Sequence, residues 1–225
     1  LHAGRRNLIA QLMSDPDKVF VASTEQGLDI QFSEQPAYLI MDLGRTVHGR
    51  LVAEVSGPAG AVLDIGWDER LHQNQRPLPY PGSLFPGWNQ VDSWILDGST
   101  RQITTLDSRA GRYILITAWS DAPVRLESLK IFEDRAPIHQ TGSFNSSDPF
   151  LNEVWQTGVD SLLPNLTDAL TDTPWRERGQ WWGDAFVADQ IAQVSLGETS
   201  LLRRGLILIA QTMQSEPAPA MAPLM

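Results

Sequence analysis

The segment Thr171–Ala185 places three carboxylates (Asp172, Glu177, Asp184), two arginines (Arg176, Arg178) and three tryptophans (Trp175, Trp181, Trp182) within fifteen residues. No ordinary helix or strand needs that mixture. A saccharide site does: carboxylates move protons and hold hydroxyls, guanidinium groups orient the carboxylates, and indole faces stack on sugar rings. Glycoside hydrolysis with inversion requires two carboxyl groups about 6.5–9.5 Å apart, one protonated toward the leaving oxygen and one ionised to activate water. Nearby tryptophans would strip Glu177 of water and favour its protonated form, whereas Arg176 and Arg178 would favour the carboxylate. The direction of the guanidinium groups decides between them. Each residue also has a plainer reading. Glu177 would be a surface glutamate paired with an arginine, Asp172 a turn residue before Thr173-Pro174, and Asp184 the N-cap of a following helix. Arg176 and Arg178 would pair with these acids, and Trp181 and Trp182 would be core.

The bulk properties narrow the classes. At 225 residues and 42% hydrophobic, the chain fits one large or two small globular domains. No apolar run reaches the length of a membrane span, and the N-terminus lacks the order of a secretory signal. A net charge of -10 and a pI near 4.8 repel nucleic acid. Zero cysteines exclude disulfides and thiolate metal sites and suit a reducing compartment, so a cytoplasmic location is expected. The four histidines are scattered without ligand spacing, and no metal or other cofactor is expected. The sequons at Asn145 and Asn165 read as chance matches.

Two kinds of element must position the segment. From about residue 28 to 135 apolar residues alternate: Leu28–Phe32, Leu51–Val55, Ala61–Trp67, Ser93–Leu96, Gln102–Leu106, Arg112–Thr117 and Val124–Phe132 read as short strands of an antiparallel sandwich. The Pro- and Gly-rich stretch 73–89 reads as a long loop. Asp68 and Glu69 read as a solvated strand end. Beyond residue 145 the period turns helical. Asp148-Pro149 is a helix start; a second helix is expected from about Asp184 to Leu196 with Gly197 as its stop, and a third from about Thr199 to Met213. Residues 217–225, rich in Pro and Ala, read as irregular. Three helices leave apolar surface without partners.

The same segment resembles the signature of the bacterial α-L-rhamnosidases of glycoside hydrolase family 78. There an Asp-Cys-Pro-x-Arg-Glu stretch precedes a Gly-Trp-x-Gly-Asp-Ala stretch; here Thr173 stands for the cysteine and Gln180 for the glycine before Trp181. Met41–Arg50 and Gly66–Leu71 are similar to the β-domain of that family, and Gly142–Asn152 is similar to the entry into its catalytic barrel. The resemblance implies a jelly-roll-like β-sandwich at 28–140, preceded by an N-terminal segment 1–27. It implies that 141–225 is the beginning of an (α/α)6, six-hairpin barrel, cut short. Glu177 would be the general acid in the inverting hydrolysis of terminal α-L-rhamnosides. Asp172 and Asp184 would hold rhamnose hydroxyls, Arg176 would orient a carboxylate or the sugar, and Trp181 and Trp182 would wall the ring. The general base would come from a later helix pair, so this chain alone would be inactive. The partner would be a rhamnose-containing glycoside or oligosaccharide. The alternatives are a lectin-like carbohydrate-binding module or another (α/α)6 glycosidase.

Overall fold

The computed structural model describes residues 19–20, 30–32, 37–72, 76–77, 90–212 and 221–222. Most of the N-terminal segment, of the stretch 73–89 and of the tail after 212 lies outside the described residues. The chain divides into two compact units, residues 1–133 and 134–225.

The first unit is a sheet. Its strands are β1 (Val19–Phe20), β2 (Ile30–Phe32), β3 (Ala37–Ser56), β4 (Val62–Asp68), β5 (Leu71–His72), β6 (Arg76–Pro77), β7 (Val91–Ile95), β8 (Arg101–Thr104), β9 (Arg109–Trp119) and β10 (Val124–Glu133). Eight of them hydrogen-bond into one sheet in the order β2-β10-β3-β9-β4-β7, with β1 and β8 also paired to β3. The pairing is antiparallel except for β1, which runs parallel to β3. The strands expected of a sandwich thus form one hydrogen-bonded sheet that curls on itself. The 20-residue β3 makes the curl. Its first half lies along β9; past a register shift between Asp42 and Val47 it leaves β9 at Gly49, and β8 then takes that edge while β10 follows the other.

Alternation explains which side chains meet. Leu63, Ile65 and Trp67 on β4 are fully buried, and Ile114 and Ile116 on β9 join them with Met41, Leu51 and Val55 from β3. Each large side chain removed from water here contributes about 1.5–3 kcal/mol. On β10 the pattern breaks: Val124 and Leu126 are buried, but the next buried residue is Leu129. A register shift between Leu126 and Ser128 accounts for this, since one extra residue moves the following side chains to the other face.

Two bidentate ion pairs brace the strands. Arg112 donates from Nε and Nη2 to both oxygens of Asp42 at 2.7 and 2.8 Å, and Arg109 holds Asp92 at 2.9 and 2.8 Å. The bond from Arg112 keeps the Asp42 carboxyl below its usual range. Asp68 corrects the sequence reading. It is buried, with 7% of its surface exposed, at the end of β4 opposite Tyr113, and only Glu69 is solvated. Desolvation pushes the Asp68 carboxyl up; Oδ1 accepts the Arg70 N–H at 3.2 Å, while Oδ2 is buried without a hydrogen bond.

The second unit carries helices α1 (Pro149–Leu162), α2 (Trp182–Leu196) and α3 (Ser200–Thr212), and a two-stranded pairing of β11 (Gln180–Trp181) with β12 (Met221–Ala222). Helix α1 starts as read: the Asp148 side chain accepts the Phe150 N–H at 2.9 Å and Pro149 opens the helix. Gly197 ends α2 in the left-handed conformation at φ 65°. Helix α2 begins at Trp182, two residues before Asp184; β-pairing keeps the backbone extended up to Trp181, which takes the N-cap place without a side-chain cap. Val159, Leu162, Leu166, Leu170, Ala192 and Leu196 form the core of this unit, and Leu201 and Leu202 of α3 pack on it. Leu206, further along α3, is 52% exposed. No helix among the described residues is long and apolar enough to cross a membrane.

Candidate active site

The acidic, tryptophan-rich segment is a loop strung between α1 and α2, and both of its ends are tied. After α1 a short 3-10 turn, Leu163–Asn165, lets the Asn165 carbonyl accept both the Thr171 N–H and the Thr171 hydroxyl at 3.0 Å. At the other end Gln180 and Trp181 pair with Met221 and Ala222. Between these anchors the chain closes on itself. The Asp172 N–H donates to the Gly179 carbonyl at 3.0 Å, and the Gly179 N–H donates back to Asp172 Oδ1 at 2.8 Å. Asp172 does act as the turn residue its plainer reading describes, but through its carboxylate as well as its backbone.

Inside that ring is a smaller one. The Thr173 hydroxyl donates to the Arg176 carbonyl at 2.5 Å, and the Arg178 N–H donates to the same carbonyl. The Arg178 Nε reaches back to the Pro174 carbonyl at 3.1 Å. The result is a tight reversal whose two central residues, Glu177 and Arg178, lie at φ 49° and 53°. They are the positive-φ residues other than glycine among those described. Such a conformation costs on the order of 1–3 kcal/mol per residue and persists only where the surroundings impose it, a pattern that clusters at functional sites.

The side chains sort less evenly than the sequence suggests. Glu177 is not desolvated by the tryptophans: its side chain is 39% exposed and lies 3.4 Å from Arg176 Nη1. An exposed pair of this kind contributes at most about 1 kcal/mol. Arg176 in turn sits over the Trp175 ring, with Cζ 5.7 Å from the centroid. Trp181 is 38% exposed. Trp182 packs onto the helical core, its ring against Gly205 of α3, and its Nε1 is buried without a hydrogen bond. Adjacent indoles therefore have different fates, one facing outward and one inward. Asp184 is exposed in the first turn of α2, where a negative charge complements the helix N-terminus.

Two buried polar residues escaped the sequence reading. Gln180 is 5% exposed, and Asp189 on α2 is 6% exposed and accepts a hydrogen bond from the Gln193 amide. The signal for Asp189 was its spacing, since it lies on the helix stripe of Ala185, Ala192 and Leu196. Among the described residues no group of three or more His, Cys, Asp or Glu side chains is arranged to hold a metal ion.

Comparison with known proteins matches both units. The family model of the bacterial alpha-L-rhamnosidase concanavalin-like domain matches residues 33–132, and that of the bacterial alpha-L-rhamnosidase 6 hairpin glycosidase domain matches residues 139–225. An alpha-L-rhamnosidase of Formosa agariphila is 28% identical over 151 residues, 65% of this chain and 16% of the relative. One from Streptomyces avermitilis is 25% identical over 190 residues, 82% of this chain and 18% of the relative. The chain thus spans under a fifth of the length of these two relatives. Among solved structures, the GH78 family rhamnosidase of Bacillus sp. GL1 superposes with a TM-score of 0.72 at 23% identity, covering 90% of this chain and 20% of that one. A rhamnosidase from Klebsiella oxytoca with rhamnose bound gives 0.69 at 23% identity, covering 80% of this chain and 37% of that one.

Proposed function

The chain belongs to the bacterial α-L-rhamnosidase family, and from that premise we propose that it supplies the acid half of an inverting glycosidase site for terminal α-L-rhamnosides. Glu177 is the general acid. It delivers its proton to the glycosidic oxygen as the bond from the anomeric carbon breaks; a water on the opposite sugar face attacks that carbon and gives its proton to a second carboxylate. That base lies on a later helix pair, and residues 1–225 alone are inactive. Asp172, through its second oxygen, and Asp184 receive rhamnose hydroxyls; Arg176 orients Glu177 or the sugar. Trp181 walls the ring, and Trp182 backs that wall from the core.

The observation that carries this reading is the backbone of Glu177. A glutamate held left-handed by two nested hydrogen-bonded rings is positioned, and a merely solvated glutamate has no need of that. The test is Glu177→Gln in the protein that carries this chain together with a complete six-hairpin domain. Turnover of an aryl α-L-rhamnoside with a poor leaving group should fall by about 100-fold or more, as expected for loss of a general acid, with the fold intact by circular dichroism. Near-normal turnover refutes the assignment. Rapid rhamnose release by purified residues 1–225 refutes the placement of the base.

A further inference from the structure

Two side chains close the inner ring of the loop, Thr173 and Arg178, and only Thr173 bonds the peptide before Glu177. The Thr173 hydroxyl is bonded at 2.5 Å to the Arg176 carbonyl, the oxygen of the peptide that leads directly into Glu177. That oxygen also receives the Arg178 N–H, so two donors fix the plane of one peptide. Rotation of this peptide would change the backbone angles on either side of it, and Glu177 sits next in the chain at φ 49°. The bond made by Arg178 comes from within the reversal and cannot hold it against the rest of the loop. The outer bonds between Asp172 and Gly179 close the loop's mouth and leave the peptides at its tip free to turn. Two side chains tie the tip to the base, Arg178 through Nε to the Pro174 carbonyl at 3.1 Å and Thr173 through its hydroxyl, and only the Thr173 bond reaches the peptide that leads into Glu177. The Thr173 hydroxyl is a full-strength donor on a β-branched residue with restricted rotamers, so the tie is stiff as well as short.

We propose that Thr173 is a positioning residue, whose hydroxyl clasp on the Arg176 carbonyl holds Glu177 in the left-handed conformation from which its carboxyl meets the leaving-group oxygen. The inference rests on Glu177 being the general acid. Thr173 touches no substrate; it acts through the peptide before the acid. Removing the clasp therefore slows the step that needs a well-placed proton and spares a substrate that needs none.

That distinction gives the experiment. In the protein carrying the complete catalytic domain, Thr173→Val, Thr173→Ser and Glu177→Gln are compared on two aryl α-L-rhamnosides. One has a nitrophenolate-type leaving group that departs without protonation, and the other an alkyl-phenol that must be protonated. Thr173→Val keeps the shape and loses the donor. It should reduce kcat on the second substrate by about 10- to 100-fold, the scale of a catalytic group displaced by about an ångström. On the first substrate kcat should stay within about threefold. Thr173→Ser, which keeps the hydroxyl, should recover most of the loss. Should Thr173→Val not fold, Thr173→Cys carries the same comparison with a weaker donor and a smaller selective loss. Equal losses on both substrates, or no rescue by serine, overturn the clasp. If Glu177→Gln itself shows no preference for the activated substrate, the general-acid reading fails, and the clasp fails with it. If Glu177→Gln is selective and neither Thr173→Val nor Thr173→Cys is, the clasp alone fails.

Discussion

Asp172→Ala tests the loop closure directly, on the 225-residue chain and without substrate. The Gly179 N–H is buried and donates to Asp172 Oδ1 at 2.8 Å. A hydrogen bond to a charged acceptor contributes about 1.5–3 kcal/mol, and because Asp172 is half-buried the lower end applies. About 1.5 kcal/mol corresponds to roughly a tenfold change in an equilibrium constant. Amide exchange at Gly179, limited by local opening, should therefore accelerate about tenfold in Asp172→Ala. The backbone bond from the Asp172 N–H to the Gly179 carbonyl survives the substitution, so the loop should loosen without opening fully. Asp172→Asn keeps an acceptor oxygen and should exchange much closer to wild type. Hydrogen-bonded amides of α1, such as that of the buried Val159, report the stability of the helical core and should not change. An unchanged Gly179 rate in Asp172→Ala, or equal acceleration in the Ala and Asn variants, would show that the carboxylate does not hold the loop.

Other outcomes follow from the packing. Asp68 has a carboxyl raised by burial, so its contribution to stability is fully present below its unfolded value near 3.8 and is lost as pH rises through the folded value. Asp68→Asn removes that loss: it should melt higher than wild type at neutral pH, by about 1 kcal/mol, and the difference should shrink toward pH 4. A gap independent of pH between 4 and 8 contradicts the burial argument. A Cβ on Gly142 would lie 2.0 Å from the Val194 carbonyl oxygen and 2.9 Å from the Ser195 Cα. Gly142→Ala should displace the bonds by which Thr141 and Gly142 cap the Ser195 carbonyl at 3.0 and 2.8 Å, costing more than about 2 kcal/mol in thermal unfolding. Gly158→Ala, on α1 with nothing within 4 Å of its Cβ, should be neutral or stabilising by up to about 1 kcal/mol; similar melting shifts in the two variants contradict the account.

Much of the local structure was legible because it depends on neighbours in the chain. The Asp148 cap, Pro149 at the helix start and Gly197 at the stop are bonds or angles made within a few residues, and each formed as read. The alternation of Leu63, Ile65 and Trp67 likewise announced its strand. Readings failed where a distant partner intervened. Trp181 rather than Asp184 is the N-cap of α2, because the extended backbone that pairs with Met221 and Ala222 ends there. Asp68 is buried because β9 lies alongside the end of β4. The antiparallel strands did form as read; that they join into one curled sheet was not legible, because it depends on β3 exchanging β9 for β8 along one edge.

The candidate site divides the same way. By residue type and spacing alone, Asp172, Arg176, Glu177, Trp181, Trp182 and Asp184 singled out the segment as a candidate saccharide site, since such a site draws on few side-chain types. The sequence offered a surface Glu177 paired with an arginine as the plainer of two readings, and the structure has that pair with Arg176; the sequence could not say that Trp182 turns inward while Trp181 faces out, or that Asp172 closes the loop through Gly179. Nor could it reveal the left-handed backbone of Glu177 and Arg178. A strained angle at a non-glycine residue opposes local preference, so no local preference predicts it. It exists because hydrogen bonds from Asp172 and Thr173 and the pairing of Gln180 and Trp181 with Met221 and Ala222 together outweigh its cost, and that balance is set only when the chain is folded.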